Sequence, residues 1–262
     1  MLDKYYIDAL LDDGSVLLVY IGKIVLAGVA LARVSTELFL PDGSRIGGSA
    51  LGMRLVRRPG FMQCGPVELR GEQLRFATRT LRGELTYRAR AAPWTARVPF
   101  FARGGHALHW DVELPDADVQ GQLHVAGRTL QIAGRGYRDR VWFDFPLARL
   151  PLRQLHWGRA YAGSHASTWT RAELADGALI EAGWQDGESL PGVPPALELT
   201  QDRTLVHGPV IDLEALHLGP LRPLLRWTTH DPVQHKWAAA ARLAGVAGRA
   251  VHEVVTWKLA GP

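Results

Sequence analysis

The residues best suited to acid–base chemistry lie between positions 133 and 161, where Tyr137 and Asp139 stand two residues apart and tryptophans follow. In an extended strand, side chains two residues apart point to the same face, so a strand here places the phenol beside the carboxyl group. Burial of a carboxyl group among aromatic rings disfavours its charged form and raises its pKa. A carboxylic acid that is kept neutral donates a proton or a strong hydrogen bond. Asp139 is therefore the candidate acid.

A structural role is the alternative interpretation of Asp139. An aspartate on a surface strand is normally solvated. The neighbouring Arg138 and Arg140, and Arg159 further along the chain, offer guanidinium partners for an ordinary ion pair. The residue pattern by itself leaves both interpretations open.

A second strand-like run follows between His156 and Tyr161. Alternation along a strand places Trp157, Arg159 and Tyr161 on one face and His156 on the other. This run therefore adds aromatic and cationic side chains to one face, which is typical of a cavity wall and equally of a well-packed barrel rim.

Familiar cofactor, metal and nucleophile motifs are missing from the sequence. Gly134-Arg-Gly136 lacks the third glycine and the βαβ context of a dinucleotide loop. His106 and His109 would face opposite ways on a strand, and no HExxH pattern occurs. There is no Gly-x-Ser-x-Gly elbow, and the single cysteine, Cys64, cannot form an intrachain disulfide. We predict no metal and no cofactor.

Composition is that of a globular protein, with 47% apolar and 21% charged residues. The formal net charge is +4, but the basic residues are scattered instead of forming a stripe with aromatic side chains, so we predict no nucleic-acid partner. The most apolar run, Val16–Val34, is interrupted by Lys23 and Arg33, which argues against a membrane span. The N-terminus lacks the pattern of a signal peptide, so we expect a cytoplasmic protein. Peripheral membrane contact and the oligomeric state stay open.

The rest of the chain has the pattern of short β-strands separated by turns. Pro41-Asp-Gly-Ser44 and Asp176-Gly177 are turn signals between strand-like runs. Leu81–Ala89 alternates apolar and polar residues, as a half-exposed strand does. Clean helical periodicity with caps is not found, and turn signals recur every eight to twelve residues or so, which favours an all-β sandwich or barrel.

Two further features concern the layout of the chain. Pro146 and Pro151 bracket a break near the middle, so we predict two β-barrel halves, residues 1–145 and 146–262. Ala91–Gly105, which contains prolines and aromatic residues, is predicted to be a loop or lid over apolar side chains. Strand-like runs in the C-terminal half include Leu224–Thr229.

Several of these segments resemble one known family. Gly136-Tyr-x-Asp-x-x-Trp, followed by Trp157-Gly-Arg, resembles the carotenoid 1,2-hydratase (hydroxyneurosporene synthase) family. The opening Tyr5-Tyr-Ile-Asp-Ala and the pair His109-Trp resemble further segments of it. That family shares a two-domain, lipocalin-like β architecture with AttH-type proteins and with certain fungal Diels–Alderases. The chain departs from the family pattern at Arg140-Val, where the family usually has His-Asn.

The resemblance implies a fold of two lipocalin-like (calycin) halves packed together, and a cofactor-independent hydratase or cyclase. It implies that Asp139 protonates an alkene, with Tyr137 as its neighbour and His109 as a further catalytic residue. The substrate-binding residues expected around them are Trp110, Trp142, Trp157, Arg159 and Tyr161. We expect a hydrophobic polyene, terpenoid or polyketide as substrate. Two alternatives stay open, a Diels–Alderase-like pericyclase or isomerase and a non-catalytic carrier of a hydrophobic ligand.

Overall fold

The computed structural model describes residues 1–26, 29–51, 54–96, 98–146, 149–210 and 232–257. Strands joined by turns make up these ranges, and no α-helix occurs in them, which confirms the all-β prediction. Within the same ranges, no helix is long and apolar enough to cross a bilayer. The chain divides into two compact units, Met1–Asp144 and Phe145–Pro262, each with its own sheet. The predicted strand Leu224–Thr229 lies outside the described residues.

The first unit is an antiparallel sheet that begins and ends with short edge strands. In spatial order its strands run β4-β3-β2-β1-β13-β12-β9-β8-β7-β6-β5, with β10 and β11 also paired to β12. The bounds are β1 Leu2–Leu11, β2 Val16–Leu26, β3 Val29–Phe39, β4 Arg45–Leu51, β5 Leu55–Arg58, β6 Phe61–Cys64, β7 Val67–Arg70, β8 Gln73–Ala77, β9 Leu81–Ala89, β10 Trp94–Thr95, β11 Phe101–Arg103, β12 His106–Val125 and β13 Arg128–Phe143.

This sheet curls on itself, so that β4 approaches the turn between β8 and β9. The Thr80 hydroxyl donates to the carbonyl of Gly47 at 2.7 Å, and the hydroxyls of Thr36 and Thr78 lie 3.0 Å apart. The main apolar core packs on one face of the curled sheet. Alternate residues of β1, beginning with Tyr5, belong to this core. The intervening residues of β1 lie on the other face.

Gly134 and Gly136, whose spacing was rejected above as a dinucleotide-loop signal, are strand residues at points of close approach between strands. A side chain at Gly134 would meet the backbone carbonyl of Leu10, and one at Gly136 would meet the side chains of Val119 and Tyr87. Glycine in a strand interior often marks such an approach. The sequence Gly134-Arg-Gly136 therefore lets β13 pack tightly within the sheet.

The second unit is a separate antiparallel sheet, with the spatial order β17-β16-β15-β14-β20-β19-β18. A core of small side chains around Trp169 packs on one of its faces. The bounds are β14 Leu152–Ala162, β15 His165–Leu174, β16 Leu179–Gln185, β17 Glu188–Leu190, β18 Leu197–Pro209, β19 Val233–Leu243 and β20 Val246–Thr256.

Two sequence expectations change in detail. His106–Leu114 and Val119–Val125, expected as separate strands, form the single strand β12. Its register shifts between Val112 and Leu114 and again between Leu114 and Ala117. The second shift contains Pro115, which has no N–H for the ladder and is accommodated at bulges. The predicted loop Ala91–Gly105 contains two short strands, β10 and β11, that pair with β12.

Candidate functional site

Tyr137 and Asp139 lie on one face of β13 and are buried, with 0% and 3% of their surfaces exposed. The Tyr137 hydroxyl donates to Asp139 Oδ2 at 2.9 Å. The indole N–H of Trp110, on the neighbouring strand β12, donates to the same oxygen at 3.0 Å. The carboxyl group of Asp139 is thus held inside the protein by two neutral donors.

Strand β1 brings a second Tyr-x-Asp pair to this face. Antiparallel pairing of β1 with β13 sets Asp8 opposite Tyr137 and Tyr6 opposite Asp139. The Tyr6 hydroxyl donates to Asp8 Oδ2 at 2.6 Å, and both residues are buried. We call Tyr6, Asp8, Tyr137 and Asp139 the Tyr–Asp cluster. Its two carboxyl groups and two phenols give one buried patch the hydrogen-bonding and proton-transfer groups of an acid–base site.

Aromatic rings extend this patch along β12. The ring of Trp94 meets Trp110 edge to face at a centroid distance of 5.3 Å, and Phe100 does so at 6.3 Å. Both belong to the segment predicted to cover apolar side chains. The indole that holds Asp139 is therefore itself fixed by aromatic packing, in the edge-to-face geometry that aromatic pairs prefer.

The arginines next to Asp139 in sequence pair with other carboxylates. Arg138 Nε lies 2.8 Å from Glu113 Oε2, and Arg140 makes two hydrogen bonds to Asp3, at 2.7 and 2.9 Å. Both arginines occupy the opposite face of β13, as the alternation of a strand requires. The ion pairs that the structure gives Arg138 and Arg140 thus do not involve Asp139.

His109 and Trp142 do not join Asp139. Their rings stack on each other at a centroid distance of 3.7 Å and an interplanar angle of 3°, and the Trp142 indole donates to Asp111 at 3.3 Å. His109 and Trp142 are opposite each other on β12 and β13, and His109 is the residue next to Trp110 on β12. Both rings therefore lie on the face away from the Tyr–Asp cluster. A shift of one residue along a strand moves a side chain to the other face of the sheet.

Trp157, Arg159 and Tyr161 lie on β14 in the second unit and share one face of it, as their spacing predicts. Arg159 is buried, and its guanidinium carbon lies 5.5 Å from the centre of the Tyr161 ring. Beside Trp157, the ammonium of Lys236 lies 4.8 Å from the indole centre and 2.7 Å from Glu253 Oε2. The second unit therefore contains its own buried row of charged and aromatic groups.

Among the predicted residues of the first unit, Trp110 is the one that the structure brings to the Tyr137–Asp139 pair. Sequence reasoning did not assign Tyr6 and Asp8 to the site, although the repeated Tyr-x-Asp spacing is a usable signal. It also missed the buried pair of Lys236 and Glu253, whose apolar strand context is a weaker signal.

The described ranges hold no group of three or more His, Cys, Asp or Glu side chains placed to bind a metal ion. Cavities of about 1030 and 460 Å³ lie in the described part of the first unit. Neither is lined by a member of the Tyr–Asp cluster. Burial and the hydrogen bonds from Tyr137 and Trp110 thus define the surroundings of Asp139.

No protein-family model matches the sequence, and no curated protein does. Solved structures do match. An AttH-type protein from Nitrosomonas europaea is 13% identical, with a TM-score of 0.64 over 97% of this chain and 91% of that one. CghA with Sch210972 is 13% identical, with a TM-score of 0.67 over 99% and 89% of the two chains. Kievitone hydratase from Nectria haematococca is 12% identical, with a TM-score of 0.57 over 98% and 89%. The chain thus has the AttH-type, lipocalin-like fold that its motifs imply.

Proposed function

We propose that this protein is a cofactor-independent acid–base enzyme that hydrates or cyclises an apolar polyene, terpenoid or polyketide. The observation that carries the proposal is the buried Asp139, whose Oδ2 accepts hydrogen bonds from Tyr137 and Trp110. The similarity in fold to kievitone hydratase and to CghA supports this reaction class.

The proposed proton donor is Asp139 in its neutral form. Because Oδ2 already accepts two hydrogen bonds, we assign the transferable proton to Oδ1. The π electrons of the alkene take this proton to form a C–H bond, which leaves a cation on the neighbouring carbon. Water then bonds to that carbon, and its surplus proton returns to the Asp139 carboxylate. One alkene and one water give one alcohol, and the acid is regenerated.

The aromatic groups around Asp139 suit the cationic stage of this reaction. The faces of indole and phenol rings attract cations, and they do so most strongly where water is excluded. Trp110 and Tyr137 therefore serve two purposes in the proposal: they orient the carboxyl group, and their rings stabilise positive charge nearby. Asp8 is a positioning residue and does not itself transfer the proton. It accepts a hydrogen bond from the Tyr6 hydroxyl at 2.6 Å and so orients that phenol.

A cyclase of the pericyclic type is the second candidate, favoured by the similarity to CghA, which has the highest TM-score of the three comparisons given above. In this case the site folds a polyene into its reactive conformer, which lowers the entropic part of the activation barrier to ring closure. A hydrogen-bond donor in the site then polarises the reacting group. Proton transfer from Asp139 is not required for this route.

Turnover of candidate polyenes by wild type and by Asp139→Asn tests the assignment. Asparagine is nearly isosteric and its amide oxygen can accept the hydrogen bonds of Tyr137 and Trp110, so the variant keeps the packing but loses the acidic proton. We expect turnover to fall by about 10²–10⁴-fold, the usual contribution of general acid catalysis. Asp111→Asn, on the opposite face of the sheet, is the matched control and keeps wild-type turnover.

The other outcomes identify the alternatives. Equal turnover by wild type and Asp139→Asn contradicts acid catalysis and favours the pericyclic route. Binding of the polyene without turnover by either protein contradicts both enzymatic assignments and favours a carrier.

A further inference from the structure

The smaller cavity of the first unit, about 460 Å³, lies on the face of β1 and β13 opposite the Tyr–Asp cluster. Tyr5 of β1 and Arg138 of β13 line it. Each of them is adjacent in sequence to a member of the cluster, so strand alternation points their side chains the other way. The cavity is thus a second feature of the same strands, and its chemistry is separate from that of Asp139.

Positive charge dominates the lining of this cavity. Arg57, Arg58 and Arg138 contribute guanidinium groups, and Glu113 contributes a carboxylate. Arg138 pairs with Glu113 at 2.8 Å. Arg57 and Arg58 are exposed, and among the described residues neither has a carboxylate within ion-pair distance. The cavity therefore offers two cationic groups that an anionic ligand can neutralise.

Tyr5 adds a buried donor to these charges. Only 2% of its surface is exposed, and its hydroxyl meets no hydrogen-bond partner in the part of the chain that the structure describes. Burial raises the pKa of Tyr5 more than the nearby Arg140 lowers it, so the phenol stays protonated at neutral pH and acts as a donor. A buried donor without an acceptor costs stability, and a ligand oxygen would satisfy it.

The rim of the cavity is fixed by the backbone. The amide of Gly71 donates to the carbonyl of Gly60 at 2.8 Å, which ties the β7–β8 turn to the β5–β6 turn. Arg138 donates to the carbonyl of Gly71 at 3.2 Å, which ties both turns to β13. Both glycines have positive φ, +67° at Gly60 and +58° at Gly71, a backbone conformation that is unfavourable for residues with a side chain.

Apolar side chains complete the lining. Phe61 lines the cavity beside the buried Met62 and Leu69. A pocket of a few hundred Å³ that combines apolar walls with a few polar groups is typical of small-molecule sites. The guanidinium carbon of Arg57 lies 5.6 Å from the centre of the Tyr5 ring, so a positive charge and the phenol lie close together in this cavity.

We propose that this cavity binds an organic carboxylate with an apolar body. The carboxylate lies against the guanidinium of Arg57 and accepts the hydrogen bond of the Tyr5 hydroxyl, and the apolar body packs on Met62 and Leu69. A guanidinium and a carboxylate form paired hydrogen bonds of matching geometry. The site is independent of the acid catalysis proposed for Asp139.

Isothermal titration calorimetry of the full chain with decanoate, 1-decanol and decyl phosphate tests this site. We expect one decanoate per chain and at least tenfold weaker binding of 1-decanol, because the alcohol lacks the charge. Arg57→Gln and Tyr5→Phe should each weaken decanoate binding by about tenfold, the value of a hydrogen bond to a charged group. Arg57 is exposed, so its variant folds. Arg128→Gln, an exposed arginine outside the cavity, is the matched control.

Failure of decanoate to bind overturns the proposal, as does equal binding of decanoate and 1-decanol. Unchanged affinity in both Arg57→Gln and Tyr5→Phe overturns it too, and tighter binding of decyl phosphate overturns the choice of a carboxylate. Asp139→Asn should leave decanoate binding unchanged, so failure of this site and failure of the proposed enzymatic function give different results.

Discussion

Two neutral donors converge on one oxygen of Asp139, whereas Asp3 and Glu113 are paired with guanidinium groups. Asp3 is held by Arg140 and Glu113 by Arg138, so their charges are neutralised by guanidinium groups. Asp139 instead accepts from the Tyr137 phenol and the Trp110 indole in a buried position. Burial favours the neutral acid, whereas the two donors stabilise the carboxylate that remains after the proton has been transferred.

Removal of one of these donors should reduce activity without abolishing it. Tyr137→Phe keeps the ring but deletes the hydroxyl that lies 2.9 Å from Asp139 Oδ2. We expect kcat/KM to fall by about tenfold, since a hydrogen bond is worth roughly 1 kcal/mol or somewhat more when the acceptor becomes charged. Tyr5→Phe is the control, because Tyr5 lies on the opposite face of β1 and its hydroxyl meets no hydrogen-bond partner among the described residues. Equal losses in the two variants would contradict a specific role for Tyr137.

The buried pair of Lys236 and Glu253 lends itself to a double-mutant test. Their side chains are 1% and 8% exposed and lie 2.7 Å apart. Lys236→Met leaves the carboxylate buried without this partner, so we expect the free energy of unfolding to fall by about 3–5 kcal/mol. The double variant Lys236→Met/Glu253→Leu should recover most of that loss. Urea unfolding measures the free energy of unfolding of Lys236→Met, of Glu253→Leu and of the double variant. A loss in the double variant equal to the sum of the two single losses would show that the two groups are not coupled.

Strand geometry explains which parts of the site could be predicted from the sequence. The period of two in a strand put Tyr137 and Asp139 together and turned Arg138 away, as the structure confirms. The same period gave no way to place Tyr6 beside Asp139, because β1 comes from the other end of the unit's sequence. Pairing between strands distant in sequence depends on the whole topology, which no local pattern contains.

Strand alternation explains why one predicted catalytic residue of the first unit, His109, does not join Asp139. Trp110 and His109 were expected in the same cavity, but they are adjacent on β12 and must face opposite ways. The fold itself was easier to predict, since turn signals and alternation are local. Leu81–Ala89, for example, alternates buried and exposed residues as far as Arg88, in agreement with its sequence pattern.

Close packing between strands at Gly136 gives a prediction at the level of the element. Gly136→Ala forces a methyl group against Val119 and Tyr87, so these side chains must shift. We expect a loss of about 1–3 kcal/mol in the free energy of unfolding, typical of overpacking. Gly22→Ala, in β2, is the control, because nothing lies within 4 Å of the added carbon. Thermal and urea unfolding compare the two, and equal stability of the two variants would contradict the packing argument.

The molecule as a whole should lose stability in mild acid because of histidines in the second unit. Burial lowers the pKa of His156 and His252 below the ordinary 6.5, with further lowering by Arg171 at His156 and by His156 and Lys236 at His252. Below pH 6.5 the unfolded chain therefore binds protons more readily than the folded one. Stability should be constant above this pH, fall as pH drops through it, and level off below the folded-state pKa.

Urea unfolding of the full chain at pH 7.5 and pH 5.5 measures this dependence. We expect the midpoint to be lower at pH 5.5 and the difference to shrink in His252→Gln, which removes one of the titrating groups. A difference as large in His252→Gln as in wild type would mean that His252 does not contribute to the acid sensitivity.

The central claim is that Asp139 transfers a proton to carbon, and turnover in D₂O tests it most directly. With a polyene that the wild-type protein hydrates, we predict one deuterium bonded to carbon in each product molecule, at the carbon next to the new hydroxyl-bearing centre. Asp139→Asn should form this product at least a hundredfold more slowly. Product formed at the wild-type rate by Asp139→Asn, or product without carbon-bound deuterium, would contradict the account.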